Sequence, residues 1–195
     1  MKKVLTLFLA ALFAMGTLHA AANGDSFNLK TIDGKTLHVK GLENGIEFKE
    51  YKGKVVFLEF WGTRCPPCLI SIPHYIDLTK KYGDQMAMVA IEVQGTPEPA
   101  LKEFAKAKGM NYDIIPHQNA LEFIDYVGLR SGWKGSIPYL VILDQEGNFV
   151  TGQTGMLPQD ALEGVIKELD KIYKKKGKES PTSNESKAPE KEKSE

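Results

Sequence analysis

The chain is poor in cysteine, carries no net charge and has no apolar run long enough to cross a bilayer, and each shortage narrows what it can be. Its 195 residues hold two cysteines, 25 Lys+Arg and 25 Asp+Glu, for a formal net charge of zero. The one-signed field of a nucleic-acid binder is missing, so nucleic acid is not an expected partner. The apolar run from Val4 to Met15 falls short of the ~18–20 residues a spanning helix needs. At 42% hydrophobic and 26% charged residues, the composition is neither collagenous nor wholly disordered and can bury a core of ordinary size.

The two ends differ from the middle. Lys2 and Lys3 precede the apolar run, and Gly16, Thr17 and small residues up to Ala22 follow it, which is the order of a secretory signal. Residues 1–22 are therefore expected to be an export signal cleaved after Ala20 or Ala22. No cysteine near that junction offers a site for lipid attachment. Residues 174–195 reduce to Lys, Glu, Ser, Pro, Asn, Thr, Gly and Ala, which cannot recover their ordering entropy by burial, so a disordered charged tail is expected there.

Between these, residues 23–173 read as one α/β domain. Phe27–Ile32, the Asp33-Gly34 turn and Thr36–Val39 form an expected hairpin. Val55–Phe60 is nearly continuous in apolar residues, as a central strand covered on both faces requires. Pro66–Tyr82 carries Leu69, Ile72, Tyr75, Ile76 and Leu78 at helical spacing, with Pro73 expected to kink it. Met86–Val93 predicts a second strand, Pro97–Lys108 a helix stopped by Gly109, Tyr112–Ile115 a short strand and Ala120–Val127 another helix. Tyr139–Leu143 and Phe149–Gly152 flank a turn, and a final amphipathic helix runs to about Tyr173. Parallel pairing early and antiparallel pairing late predict a mixed sheet.

Both cysteines lie in Cys65-Pro66-Pro67-Cys68, where the apolar strand turns into the helix. A helix start presents unpaired amides and the positive dipole end, which stabilise a thiolate at its first residue. Cys65 is thus the expected nucleophile, and Cys68, one turn on and more buried, the thiol that resolves a mixed disulfide. Pro66 and Pro67 suit the first turn, where the amides they lack have no intrahelical partner, and they stiffen the loop. A purely structural bridge is disfavoured: closing four residues stabilises by about 2 kcal/mol, against about 3 for fifteen residues. A zinc site needs two further ligands, and His74 and His117 show no paired spacing.

The segment Phe57-Leu58-Glu59-Phe60-Trp61-Gly62-Thr63-Arg64-Cys65-Pro66-Pro67-Cys68, followed by Pro73, resembles the active-site segment of the thioredoxin superfamily. The TlpA-like and ResA-like exported branch is the closer match. It resembles this chain in the upstream Asp-Gly hairpin, in Tyr51-Lys52-Gly53-Lys54, in Ser136-Ile137-Pro138 and in Leu143-Asp144-Gln145-Glu146-Gly147, over about Phe27 to Tyr173. The resemblance implies a thioredoxin fold, a mixed central sheet flanked by helices, with an N-terminal β-hairpin extension and a helix-strand insertion. It implies a redox-active Cys65–Cys68 disulfide and no cofactor or metal.

By the same resemblance Pro138 is the family's cis-proline, leaving the backbone of Ile137 free for an extended substrate. Glu59, six residues before Cys65, stands where thioredoxins often hold a buried acid that deprotonates the resolving thiol. An acid in an apolar strand is costly without such a task or a partner. Trp61 is expected to pack under the active-site loop, and is grouped with Arg64, Pro66, Pro67, Ile137 and Pro138 as the substrate-facing set. Two departures stand out: Arg64 replaces the usual tryptophan, and Ser71 stands where ResA-like proteins carry a glutamate. Arg64 can favour the Cys65 thiolate or an acidic substrate patch.

The expected activity is thiol-disulfide exchange in the periplasm. The resemblance implies that it reduces protein disulfides, apocytochrome c among them, with electrons from a membrane thiol donor of the DsbD/CcdA kind. A disulfide oxidant or isomerase is the rival within the class, and a copper-binding or chaperone module the rival outside it. Thiol peroxidase chemistry is disfavoured, because Gly62 occupies the position three before Cys65 where a threonine is usual.

Overall fold

The structure, a computed structural model, describes residues 24–179. The expected export signal, and the tail beyond Glu179, lie outside them. Among the described residues no helix is long and apolar enough to cross a membrane.

Two strands set the frame. β4 (Val55–Trp61) and β5 (Met86–Glu92) are buried at all seven positions each, as their continuous apolar runs require. They pair in parallel from Val55↔Met86 to Trp61↔Glu92. β6 (Asp113–Ile115) extends the parallel side, while β7 (Tyr139–Leu143) and β8 (Phe149–Thr154) add antiparallel strands beyond β4. The sheet order is β6-β5-β4-β7-β8, the expected mixed arrangement.

Side chains alternate across β4 and so divide the core in two. Val55, Phe57 and Trp61 pack with Ile72, Tyr75 and Leu78 of α1 (Pro66–Tyr82), Leu101 of α2 (Glu98–Lys108), and Leu162 and Ile166 of α4 (Gln159–Glu179). Val56, Leu58 and Phe60 face the other way, onto Phe123 and Val127 of α3 (Leu121–Ser131) and onto a second sheet. The second sheet comprises β1 (Ser26–Lys30), β2 (Thr36–Leu42) and β3 (Gly45–Phe48), all antiparallel. The insertion between β5 and β7 is α2, β6 and α3.

The differences from expectation are local. The N-terminal hairpin gains a third strand, β3, whose four residues are too short to show a period. α3 runs four residues past Val127 and stops at Gly132, in the left-handed region at φ 70°. α1 continues through Pro73, which lies at an exposed position. α4 passes Tyr173 and continues to Glu179, so residues 174–179, expected as tail, are helical. Its last turns are good helix formers, with Lys174 paired to Asp170 at 2.6 Å, one turn back, and Lys176 to Glu146 at 3.0 Å.

The two sheets meet where glycine is required. A Cβ on Gly45 would lie 2.0 Å from the Gly147 carbonyl oxygen, and Ile46 N donates to that same oxygen at 2.8 Å. Gly45→Ala is therefore expected to push the small sheet away from the β7–β8 turn. The loss should be roughly 1–3 kcal/mol, a fall of several degrees in melting temperature by thermal denaturation. An unchanged melting temperature would show that the approach is not needed.

Candidate active site

β4 delivers the chain to the site. It ends at Trp61, Gly62–Arg64 lead out of the strand, and Cys65 is the N-cap of α1, in extended backbone at φ −112° and ψ 100°. Ser, Thr, Asp or Asn usually fill that position because a side-chain acceptor meets the N2 or N3 amide. Here the acceptor is sulfur: Cys65 Sγ accepts from Cys68 N at 3.4 Å. Pro66 and Pro67 occupy N1 and N2 and contribute no amide. Cys68 N, at N3, is the first helix amide that can face the sulfur.

The two sulfurs are joined in a disulfide, with Cα atoms 5.3 Å apart. Cys65 is 5% exposed and Cys68 0%, so an incoming group can reach Cys65 alone. Arg64, Pro66 and Pro67 ring it as exposed residues. Ile137 packs against the cluster containing both cysteines, and the Ile137–Pro138 peptide is cis. Pro138 O accepts from Gly155 N at 2.8 Å, which ties β7 to the end of β8 beside the site. The loop before the cis peptide is held by Trp133. Its ring stacks on Tyr139 at 5.4 Å and lies 4.6 Å from Phe60, and its Nε1 donates to Ser136 O at 2.7 Å.

Glu59 shares the α1-facing side of β4 with Phe57 and Trp61 and is 2% exposed. Burial pushes its pKa up to about 8, opposed by a hydrogen bond with the Tyr75 side chain. Its Oε1 has no hydrogen-bond partner among the described residues. Tyr75 in turn is raised well above the usual phenol range by burial and by the nearby carboxyl, and it also interacts with Ser71. Ser71 is buried one turn after Cys68, and its Oγ donates to Pro67 O at 3.3 Å. The Tyr112 ring stands edge-on to Tyr75, with centroids 6.4 Å apart, and its hydroxyl is likewise raised by burial and by Glu59. A buried polar string, Glu59–Tyr75–Ser71, therefore runs from the sheet to the turn that carries Cys68.

Arg64, Pro66 and Pro67 lie in the segment that carries the Cys65–Cys68 disulfide, Ile137 packs on the cluster that contains both cysteines, Pro138 follows it across the cis peptide, and Glu59 lies on the α1-facing side of β4. Trp61 corrects one expectation. At 1% exposure, packed 5.8 Å from Phe104, it lies beneath the loop and cannot face a substrate. Arg64 has an exposed side chain, and its backbone amide donates to Gln94 Oε1 at 2.9 Å. The expectations for the site missed Tyr75, Tyr112 and a second buried acid, Glu92, closing the apolar strand β5. The signal that flagged Glu59, an acid within an apolar run, marks Glu92 equally. Among the described residues no group of three His, Cys, Asp or Glu side chains is placed to hold a metal ion.

The burial of Glu59 has a measurable sign. Below about pH 4.5 its carboxyl is protonated in folded and unfolded chains alike. From there to its folded pKa of about 8 the unfolded chain releases the proton while the fold retains it, so stability falls over that interval and levels off above it. The expected loss is on the order of 5 kcal/mol. Glu59→Gln should abolish it, so the stability difference between the two proteins in denaturant melts should change across pH 4.5–8. A difference independent of pH would show that the carboxyl is charged throughout.

Comparison with known proteins agrees with this geometry. A profile of the AhpC/TSA family matches residues 23–151. The chain is 31% identical over 118 residues to the thiol-disulfide oxidoreductase ResA of Halalkalibacterium halodurans, covering 60% of this chain and 64% of that protein. It is 26% identical over 160 residues to the Bacillus subtilis ResA, covering 80% and 79%. Among solved structures, the pneumococcal exposed lipoprotein thioredoxin Etrx1 of Streptococcus pneumoniae superposes with a TM-score of 0.55 at 26% identity, over 74% of this chain and 99% of that one. A thioredoxin-family thiol:disulfide interchange protein of Chlorobium tepidum gives 0.59 at 23%, over 75% and 94%, a likeness of fold. The strand-to-helix C-x-x-C, a cis Ile137–Pro138 peptide and the mixed sheet thus occur in a chain of matching sequence, and the chain belongs to the AhpC/TSA family of the thioredoxin superfamily, alongside the ResA-like thiol-disulfide oxidoreductases.

Proposed function

We propose that the protein is an exported reductant of protein disulfides. The Cys65 thiolate attacks one sulfur of a substrate disulfide, forming a mixed disulfide and expelling the other substrate sulfur as a thiolate. Cys68, deprotonated, attacks Cys65 Sγ, which closes the Cys65–Cys68 bond and expels the second substrate thiolate. Two electrons pass to the substrate, and an external dithiol restores the reduced pair. Glu59 serves as the base for Cys68: a carboxyl whose pKa burial raises to about 8 can take up the thiol proton and return it on re-reduction. Ile137 and the cis Pro138 offer the backbone edge on which an extended substrate segment lies.

The observation that supports the reductive direction is the cap of α1. A thiolate at an N-cap is stabilised by the amides it accepts from, and Pro67 removes the N2 amide, leaving Cys68 N. A less stabilised thiolate means a less stabilised reduced form and a lower reduction potential. The basic, apolar and small-residue order of residues 1–22 supports export to the periplasm. The ResA-like relatives support protein substrates, with oxidised apocytochrome c as one class and a membrane thiol donor of the DsbD/CcdA kind as the source of electrons.

Pro67→Ala restores an N2 amide beside the sulfur. One charge-assisted hydrogen bond is worth roughly 1.5 kcal/mol, and about 30 mV corresponds to 1.4 kcal/mol in this two-electron couple. The potential, measured by equilibration with glutathione, should therefore rise by about 30 mV, and an unchanged or lower value would remove the argument for direction. The assignment of the thiols is tested separately. Cys68→Ser should trap substrates as mixed disulfides through Cys65, whereas Cys65→Ser should trap none and lose insulin reduction. Trapping through Cys68 would reverse the roles.

A further inference from the structure

Two buried carboxyl groups lie on neighbouring strands, and their hydrogen bonding separates them. Glu59 keeps one oxygen without a partner. Glu92, fully buried as the last residue of β5 and abreast of Trp61, accepts three hydrogen bonds. Its Oε1 takes Gln94 N at 3.2 Å and Thr96 Oγ1 at 2.8 Å, and its Oε2 takes Thr96 N at 3.0 Å. The carboxylate thus ties down the turn formed by residues 93–96.

That turn holds the segment leading to Cys65. Val93 N donates to Trp61 O at 2.8 Å. The Gln94 side chain packs where a Cβ on Gly62 would sit, 2.3 Å away, and its Oε1 accepts from Arg64 N at 2.9 Å. Thr63 and Thr96 hydroxyls are 2.8 Å apart. Because the single Thr96 hydroxyl proton is directed to Glu92, Thr63 must be the donor to Thr96. Gly62, Thr63 and Arg64 are each fixed from one turn, and Cys65 N closes back onto Gly62 O at 3.3 Å.

We infer that Glu92 is a positioning residue for thiol-disulfide exchange: through Thr96 and Gln94 it fixes the Gly62–Arg64 segment that aims Cys65 Sγ at the start of α1. It does not touch the sulfur. The inference rests on Cys65 being the attacking thiol, which the cysteine variants above test independently.

The experiment reads the pH midpoint of Cys65 alkylation in the reduced full chain, together with insulin-reduction turnover. Charged or titratable groups on the elements around Cys65 include Arg64 on the loop, Glu59 and Glu92 on the sheet, and Cys68, His74 and Tyr75 on α1. Thr63→Val and Thr96→Val keep them all. Each should raise the midpoint by several tenths of a pH unit, toward that of a free thiol, and slow turnover severalfold. The double variant should do no more than the larger single one, because both cut the same connection. Glu92→Gln removes a negative charge, which by electrostatics alone lowers the midpoint, but it also presents an amide N–H to ligands that all donate. Positioning therefore predicts a rise. A fall in Glu92→Gln would leave a purely electrostatic role, and unmoved midpoints in both threonine variants would overturn the inference even if Glu92→Gln fails to fold.

Discussion

The seat of Cys65 Sγ at the open end of α1 is the contact on which the rest of the molecule depends. A sulfur at an N-cap has to be delivered by a strand that stops at the right height and met by a helix that starts there. The parallel β4–β5 pair and the α1 packing of Ile72, Tyr75 and Leu78 provide both. In the reduced protein that seat would hold a thiolate against one amide and a helix dipole, an arrangement whose strength the two prolines set. The fold thereby fixes the energy of a single sulfur, and thiol chemistry follows from that energy.

Behind the sulfur, the same residue type is used in two ways. Glu92 has its acceptors met by three donors, and such a carboxylate has every reason to stay where it is. Glu59 is equally hidden but incompletely bonded, and burial raises its pKa into the range where thiols titrate. Counting donors, rather than measuring depth, separates the two acids in their proposed roles, one holding a loop and the other exchanging a proton. The aromatic hydroxyls of Tyr75 and Tyr112 complete the surroundings of Glu59, and the hydroxyls of Thr63 and Thr96 those of Glu92.

Much of this was legible in the residues. The continuous run at Val55–Phe60 marked the central strand, helical spacing after Pro66 marked α1, and the position of the cysteines between them marked the site. Glu59 was found because a charge in an apolar strand needs a reason. What escaped notice depends on contacts distant in sequence. β3 is four residues long and is recognisable only from its pairing with β2 and the approach of Gly45 to Gly147. Trp61 alternates with Phe60, and which of the two turns toward α1 is settled by the sheet, not by their shared apolar character. Tyr75 read as an ordinary helix-face residue because its hydroxyl partner lies on another element. The end of α4 was placed too early because a lysine run resembles solvated tail, whereas Asp170 and Glu146 reach it from one turn back and from the β7–β8 turn.

The Pro66-Pro67 pair has a kinetic consequence as well as an energetic one. With φ locked at two successive positions, the resolving sulfur is held close to the first and has little conformational freedom to lose on ring closure. A covalently captured partner would then have a short dwell time on the protein, because the internal attack runs at a high effective molarity. Short dwell leaves little opportunity for the partner's own thiols to re-pair while attached. In the proposed reductive direction, a stiff loop of this kind favours clean two-electron transfer over reshuffling of bonds, a choice made by the clock of the second step rather than by the affinity of the first.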